Sequence, residues 1–434
     1  MAGCGSPGGG SDDTAPAPKL TVAKKAAPAS IEVVAFKGGY NIDFYQSAGK
    51  AFEAAEPGMK VAVTGDSKIW EKLKPRFISG DVPDLVFPGW GMDHWGLVEE
   101  GQLFDLTEAM NSPAFDGKTA WKDTFDEKLL KLGQLDGKQY VLPYYVMVYG
   151  WWYNPDLFAA NGWTAPKTYS ELLALCEKIK AKGIAPLTFQ GKYPYYMLDG
   201  FLLPWCYSVG GGDAVKAAQN LEPGAWKSPA MLKAASMIRE LADKGYFQTG
   251  ATGLNHTESQ MEFLRGKAAM IPCGSWLQAE MKDVMPKGAK LAFFLPPVAD
   301  GGKGDASSLL IGIEPWMVPA KAKHPEAGIE FFKFMTSLDQ AKAFVKEKGT
   351  LMAIKGSDEV EMDPTLKGAA DAFKASKEVW AVQYRQWYPA FNKKLEDAMA
   401  ALLNREITPE AFCDRAEAAA EECRKDSAIP KHKH

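Results

Sequence analysis

One stretch limits the architecture more than any other: YVLPYYVMVYGWWY, residues 140–153. It is dense in β-branched and aromatic side chains and reads as a single long extended segment. A second extended run, SSLLIGIEPWMVPAKAK, crosses back near 308–318. Each crossing is flanked by α/β texture. Before the first come SIEVVAF as a strand, DFYQSAGKAFEAA as a helix stopped by Pro57-Gly58, MKVAVTG as a strand, IWEKLKPRFISG as a helix interrupted by a proline, and VPDLVFPGW as a short strand. That β-α-β-α-β order implies a mostly parallel sheet covered by helices. After it, Thr168 and Glu171 suggest a capping box, Leu172, Leu175, Cys176 and Ile179 a buried helix face, and Ile184 to Phe189 a strand. Ser228-Pro229 opens a further helix, and Thr257 with Gln260 suggests a second capping box. Beyond Pro364 the chain reads as helical to about residue 425.

Two α/β halves joined by long crossings predict an α/β fold of two lobes with a cleft between them. The expected limits are a tether over 1–30, one lobe over 31–150 with about 306–360, and a second lobe over 151–305 with about 361–430 and its C-terminal helices. The length of 434 residues fits two or three domains. A formal net charge of -4, without a basic patch interleaved with aromatics, argues against nucleic acid. No apolar stretch approaches the roughly 18 residues of a membrane span.

Enzyme signatures are mostly missing. There is no G-x-S-x-G, H-E-x-x-H, P-loop or G-x-G-x-x-G in the chain. Five histidines, two of them in the last three residues, leave little for a metal site. His256 reads as a structural donor, and the final KHKH as a solvated basic end. Cysteines stand at 4, 176, 206, 273, 413 and 423 with no C-x-x-C. Cys413 and Cys423 would lie about 15 Å apart on one helix, too far for a bridge. The last five read as buried thiols, with one disulfide open. No cofactor is expected.

The aromatics gather beside turns. Trp90 stands in FPGWGMDHW, Tyr144 and Tyr145 after Pro143, Tyr195 and Tyr196 in GKYPYYML, Trp316 in GIEPWMV, and Trp387 and Tyr388 in RQWYPAF. The sharpest case is GKAAMIPCGSWLQAEM, residues 266–281, where Trp276 follows a Gly-Ser turn between a strand and a helix. Turns at the carboxyl ends of strands are where α/β proteins hold ligands. Polar partners lie close in sequence at Asn41, Asp43, Asp84, Asp93, Glu258, Gln260 and Glu314. Sugar rings offer apolar C–H faces to aromatic rings and hydroxyl edges to carboxylates and amides. Core packing explains any single aromatic equally well, Gln260 could merely close its capping box, and Asp84 could cap a loop. Trp151 and Trp152 point to opposite faces of a strand, so at most one can face a cleft.

RGKAAMIPCGSW and EPWMVPAKAKHPEAGIEFFKFMTS resemble the sugar-binding lipoproteins of ABC importers, family 1 extracellular solute-binding proteins, over nearly the whole chain from Ile31. DGKQYVLPY, CEKIKAKGIAPLTFQGKYPYY, LEPGAWKSPA, GLNHTESQ and QWYPAF resemble its N-acetylglucosamine and diacetylchitobiose branch. The resemblance implies a periplasmic-binding-protein fold that closes over a mono- or oligosaccharide and delivers it to a membrane permease, as a monomer outside the cytoplasm. It places the stacking tryptophan at Trp276, the aromatic pair at Tyr195 and Tyr196, and the return crossing at Glu314-Pro315. With Trp90, Asp93, Tyr145, Trp316, Asn41, Glu258 and Tyr388 these form the expected sugar-contacting set. The chain departs from the branch at Trp90 to Asp93, where smaller residues are expected. Met1-Ala2-Gly3-Cys4 and the Gly/Pro-rich tether after it resemble a lipoprotein cleavage site, so Cys4 is the expected lipid attachment point. The alternative is a carbohydrate-active enzyme with two cleft carboxyls about 5–10 Å apart.

Overall fold

A computed structural model describes residues 17–20, 26–89 and 91–432. The first lobe opens with β1 (Ser30–Phe36), α1 (Asp43–Ala55), β2 (Lys60–Asp66), α2 (Ile69–Ser79), β3 (Leu85–Phe87) and α3 (His94–Glu99). The three strands form a parallel sheet in the order β2-β1-β3. Phe44, Ala48 and Phe52 repeat at helical spacing and bury one face of α1. Pro75 does not break α2: the residue is exposed, so the carbonyl it leaves unbonded can reach water. Asp84 is a structural clasp, accepting from the N–H groups of Glu32 (2.9 Å) and His324 (2.7 Å).

The first crossing is β4 (Leu142–Tyr153). The second lobe then builds α4 (Tyr169–Lys180), β5 (Ala185–Leu187), α5 (Leu203–Gly210), α6 (Pro229–Asp243), α7 (His256–Leu264), β6 (Ala268–Gly274), α8 (Leu277–Met281) and β7 (Ala292–Phe294). The return crossing is β8 (Leu309–Trp316), followed by α9 (Pro325–Met335), α10 (Leu338–Lys348) and β9 (Leu351–Met352). The helical end contains a short strand, β10 (Val379–Trp380), absent from the sequence reading, then α11 (Tyr384–Trp387), α12 (Pro389–Leu403) and α13 (Pro409–Lys425).

β4 belongs to both lobes. Its first half pairs antiparallel with β8, from Leu142↔Trp316 to Val148↔Ile311. Its second half pairs with β6, from Tyr149↔Gly274 to Tyr153↔Met270. The larger sheet runs β10-β8-β4-β6-β5. Trp151 and Trp152 are both fully buried, on opposite faces. Trp151 packs on Phe201 at 4.6 Å between centroids and donates to the Gly200 carbonyl. Trp152 packs on Phe293 at 5.3 Å and donates to the Gly274 carbonyl. Alternation along one strand therefore feeds two cores, and neither indole faces a cleft.

Two local expectations are corrected, the second capping box and the solvated C-terminal end, while the buried thiols expected at the last five cysteines are found. The second capping box is Asn255 with Glu258, not Thr257 with Gln260: Asn255 accepts from the Glu258 N–H and Glu258 from the Asn255 N–H, both at 2.8 Å. Cys176, Cys206, Cys273, Cys413 and Cys423 are all buried free thiols. The C-terminal basic end is not wholly solvated. His432 is 4% exposed, stacks on Trp387 at 5.2 Å and reaches Glu99 of α3 at 3.2 Å. Cys4, with most of the tether, lies outside the described residues. Among those described, no helix is long and apolar enough to cross a membrane.

Candidate functional site

The end of β6 explains the tryptophan at the turn. Ser275 ties the turn to β4: its N–H donates to the Val148 carbonyl (2.9 Å) and its hydroxyl accepts from the Val148 N–H (3.2 Å). The Trp276 ring then folds back over Gly274, where any Cβ would lie 1.8 Å from the indole. Only glycine permits that fold-back. Gly274 is paired with Tyr149, so both rings lie on one face of the sheet. They meet edge to face at 5.3 Å, and both are half-buried.

A second aromatic pair continues the surface. Tyr196 lies 6.4 Å from Trp276, and Tyr195 stacks on Tyr196 at 4.6 Å. The Arg385 guanidinium of α11 covers the Tyr195 ring at 4.7 Å. One nitrogen, Nη2, donates to both oxygens of Asp199, at 2.6 and 2.8 Å. Asp199 lies in a π-helical turn, Leu198–Leu202, the kind of irregularity that often marks a functional position. Burial raises the Asp199 carboxyl above its ordinary pKa, and the Arg385 charge opposes that rise. Burial works against the Arg385 cation, but Asp199 outweighs it and the guanidinium is held above its ordinary range. Burial also pushes Tyr195 up to about 12 and raises Tyr149 and Tyr196, so these hydroxyls stay neutral and can both donate and accept.

The pocket beside Tyr149 is walled by Leu310 to Ile313 of β8, by Gln383, Arg385 and Gln386, and across the cleft by His94 and Leu132. Burial drives the His94 pKa down to about 3, so the imidazole is neutral at physiological pH. Trp95 donates to Gln383 Oε1 at 3.0 Å, joining α3 to the segment before α11. Hydrophobic faces, neutral amides and one fixed cation suit an uncharged polar ligand with apolar surfaces.

The structure divides the expected residues. Trp276, Tyr195 and Tyr196 come together as described. Asp93 caps α3 by accepting from the Gly96 N–H at 3.0 Å, one residue before His94. Asn41 is exposed at a positive φ of 59°, and its side chain accepts from the Ile42 N–H. Tyr145 is buried between Tyr40 (4.8 Å) and Phe344 (6.1 Å). Glu314 and Trp316 are fully buried in the first-lobe core rather than on the cleft. Glu258 is spent on its helix cap and a 3.7 Å contact with Lys192. Tyr388 is buried, its hydroxyl accepting from the His432 N–H at 2.9 Å. Trp90 lies outside the described residues. Tyr149, Asp199 and Arg385 escaped the sequence reading. Arg385 adjoins the highlighted QWYPAF, but nothing local ties it to Asp199.

The family profile of bacterial extracellular solute-binding proteins matches residues 38–342. The chain belongs to that family. It is therefore a substrate-binding protein and not an enzyme. It is 30% identical over 340 residues to the diacetylchitobiose binding protein NgcE of Streptomyces coelicolor, covering 76% of this chain and 71% of that one. It is 28% identical over 343 residues to the multiple sugar-binding protein of Streptococcus mutans, covering 77% and 78%. Among solved structures, a chitin oligosaccharide binding protein superposes with a TM-score of 0.74 at 26% identity, over 90% of this chain and 98% of that chain. Family members of this kind are the receptors of ABC importers, which fixes the class of partner as a sugar and a membrane permease.

Proposed function

We propose that this receptor binds N-acetylglucosamine or a short β-linked chito-oligosaccharide between its lobes and hands it to the permease of a carbohydrate importer. One observation carries the reading: the Trp276 ring folded over Gly274, edge to face with Tyr149 and beside the Tyr195–Tyr196 stack. Such a surface covers the C–H face of a pyranose, while tyrosine hydroxyls and the Arg385 donors serve its polar edge. The names of the relatives and of the solved structure support the acetamido sugars within the sugar class. The bodies that close are residues 31–150 with about 306–360, and 151–305 with about 361–430, pivoting on β4 and β8. Ligand binding shifts the open–closed equilibrium by its differential affinity for the two states. The receptor acts as a monomer outside the cytoplasm, anchored through lipid on Cys4.

Calorimetric titration of the purified chain with N-acetylglucosamine, diacetylchitobiose and maltose tests the ligand. One-to-one binding of the acetamido sugars alone is expected. Binding of maltose instead would keep the receptor and discard the ligand class.

A further inference from the structure

Arg385 has donors that the protein does not use. A guanidinium carries five N–H groups in a rigid fork. Asp199 takes those of Nη2, and the Tyr384 hydroxyl lies against the same side chain. Nε is sealed from solvent, so on a side chain that is 25% exposed the N–H groups of Nη1 are the ones left for a ligand. The side chain cannot swing away, because Tyr195 covers its face and Asp199 holds its end. It borders the pocket beside Tyr149, next to Gln386, whose side-chain amide makes no hydrogen bond among the described residues. A fixed donor beside a free amide is a recognition element that lacks its ligand.

The surrounding charge narrows that ligand. Arg385 and Asp199 cancel, and Glu396 lies near enough to interact electrostatically with both. His94 across the pocket is neutral. An anionic sugar such as a uronic acid would therefore meet no net positive field. A free amino sugar would bring a second cation, itself only a donor, to a fork that offers only donors. An uncharged carbonyl satisfies the fork without either penalty, and an adjoining N–H can donate to the Gln386 carbonyl oxygen. An acetamido group presents that carbonyl and that N–H together.

We infer that Arg385, positioned by Asp199 and Tyr195, reads the acetamido carbonyl of the ligand and makes the cleft select N-acetylated sugars over their free amines and over uronic acids. The inference rests on the sugar-receptor reading and deepens it.

Calorimetric titration with diacetylchitobiose, fully deacetylated chitobiose and cellobiose tests it in the wild type, R385K and the double variant D199N/R385M. The double variant removes both charges, so no buried carboxylate is left unpaired, and a thermal melt checks its fold. The wild type is expected to prefer diacetylchitobiose over the diamine by at least about tenfold, the scale of one hydrogen bond to a charged group. D199N/R385M should lose about ten- to a hundredfold in affinity for diacetylchitobiose while its affinity for cellobiose holds, so the preference collapses. R385K, which keeps the charge but not the fork, should fall between. A folded double variant with an unchanged acetamido preference would overturn the role of Arg385 and leave the receptor reading intact. A wild type that binds cellobiose and the diamine as tightly as diacetylchitobiose would overturn it likewise. A wild type that binds none of the three would overturn the chito-oligosaccharide reading and this inference with it.

Discussion

Glu314 and Asp199 are both fully buried among aromatic rings, and burial raises the pKa of each. What closes around them differs. Glu314 sits between the Tyr45 hydroxyl, at 2.7 and 2.9 Å from its two oxygens, and the Trp316 indole N–H. Tyr144, Phe332 and Phe344 pack around those two rings. Among the described residues no cation pairs with it, and burial holds its pKa well above the carboxylate range. Asp199 instead pairs with a guanidinium that borders the cleft and has donors to spare. Aromatics around a carboxylate thus do not by themselves make a binding site. The cue is donors that the fold leaves unused and exposes to a pocket.

The largest expected effect separates the two tryptophans. Trp316→Ala should cost about 3–5 kcal/mol of stability, as for other large aromatic truncations in a core. Urea denaturation reads the loss, and the fraction still folded should titrate with sugar normally. Weak binding with normal stability would move Trp316 into the site. Trp276→Ala should do the reverse, costing about 1–3 kcal/mol of sugar affinity through lost stacking and burial. Its denaturation midpoint should shift much less than that of Trp316→Ala. A folded Trp276→Ala protein with full affinity would end the comparison.

The carboxylates themselves can be told apart by pH. The raised folded pKa of Glu314 means the unfolded chain releases this proton first as pH rises. Its contribution to stability is full below about 4.3 and is lost as pH climbs toward the folded value. Glu314→Gln cannot ionise, so wild-type stability should fall relative to the variant by up to about 1.4 kcal/mol per pH unit above that point. A difference flat in pH would show that Glu314 is ionised in the folded protein. The smallest effect belongs to Glu258, whose cap hydrogen bond faces solvent. Glu258→Ala should cost about 0.5–1 kcal/mol of stability and leave the sugar titration unchanged. A tenfold weaker titration would return Glu258 to the ligand set.

Some of this was legible in the chain. Gly274-Ser275-Trp276 marked its own tryptophan, because a ring can fold back onto a strand only over a glycine. Trp316 carried a similar label in EPWM yet went to the core. A register shift between Ile313 and Pro315 resets which face the following residues present, and a bulge leaves no signature in the residues themselves. Arg385 and Asp199 stand 186 positions apart, beyond the reach of any local pattern. His432 is buried only because Trp387, Tyr388 and Glu99 happen to converge on it.

The sequence by itself determined the order of the main strands and helices up to the C-terminal segment, the two crossings, the helix caps at Thr168 and Ser228, and the turn that carries Trp276. These depend on side-chain period, backbone sterics and capping within a few residues. Only the tertiary structure decided which aromatic rings face the cleft and which buried carboxylate has a cation. Side chains alternate along a strand with a period of two, so one residue of register exchanges core for cleft. A buried charge, in turn, is tolerated only where a distant segment supplies its partner.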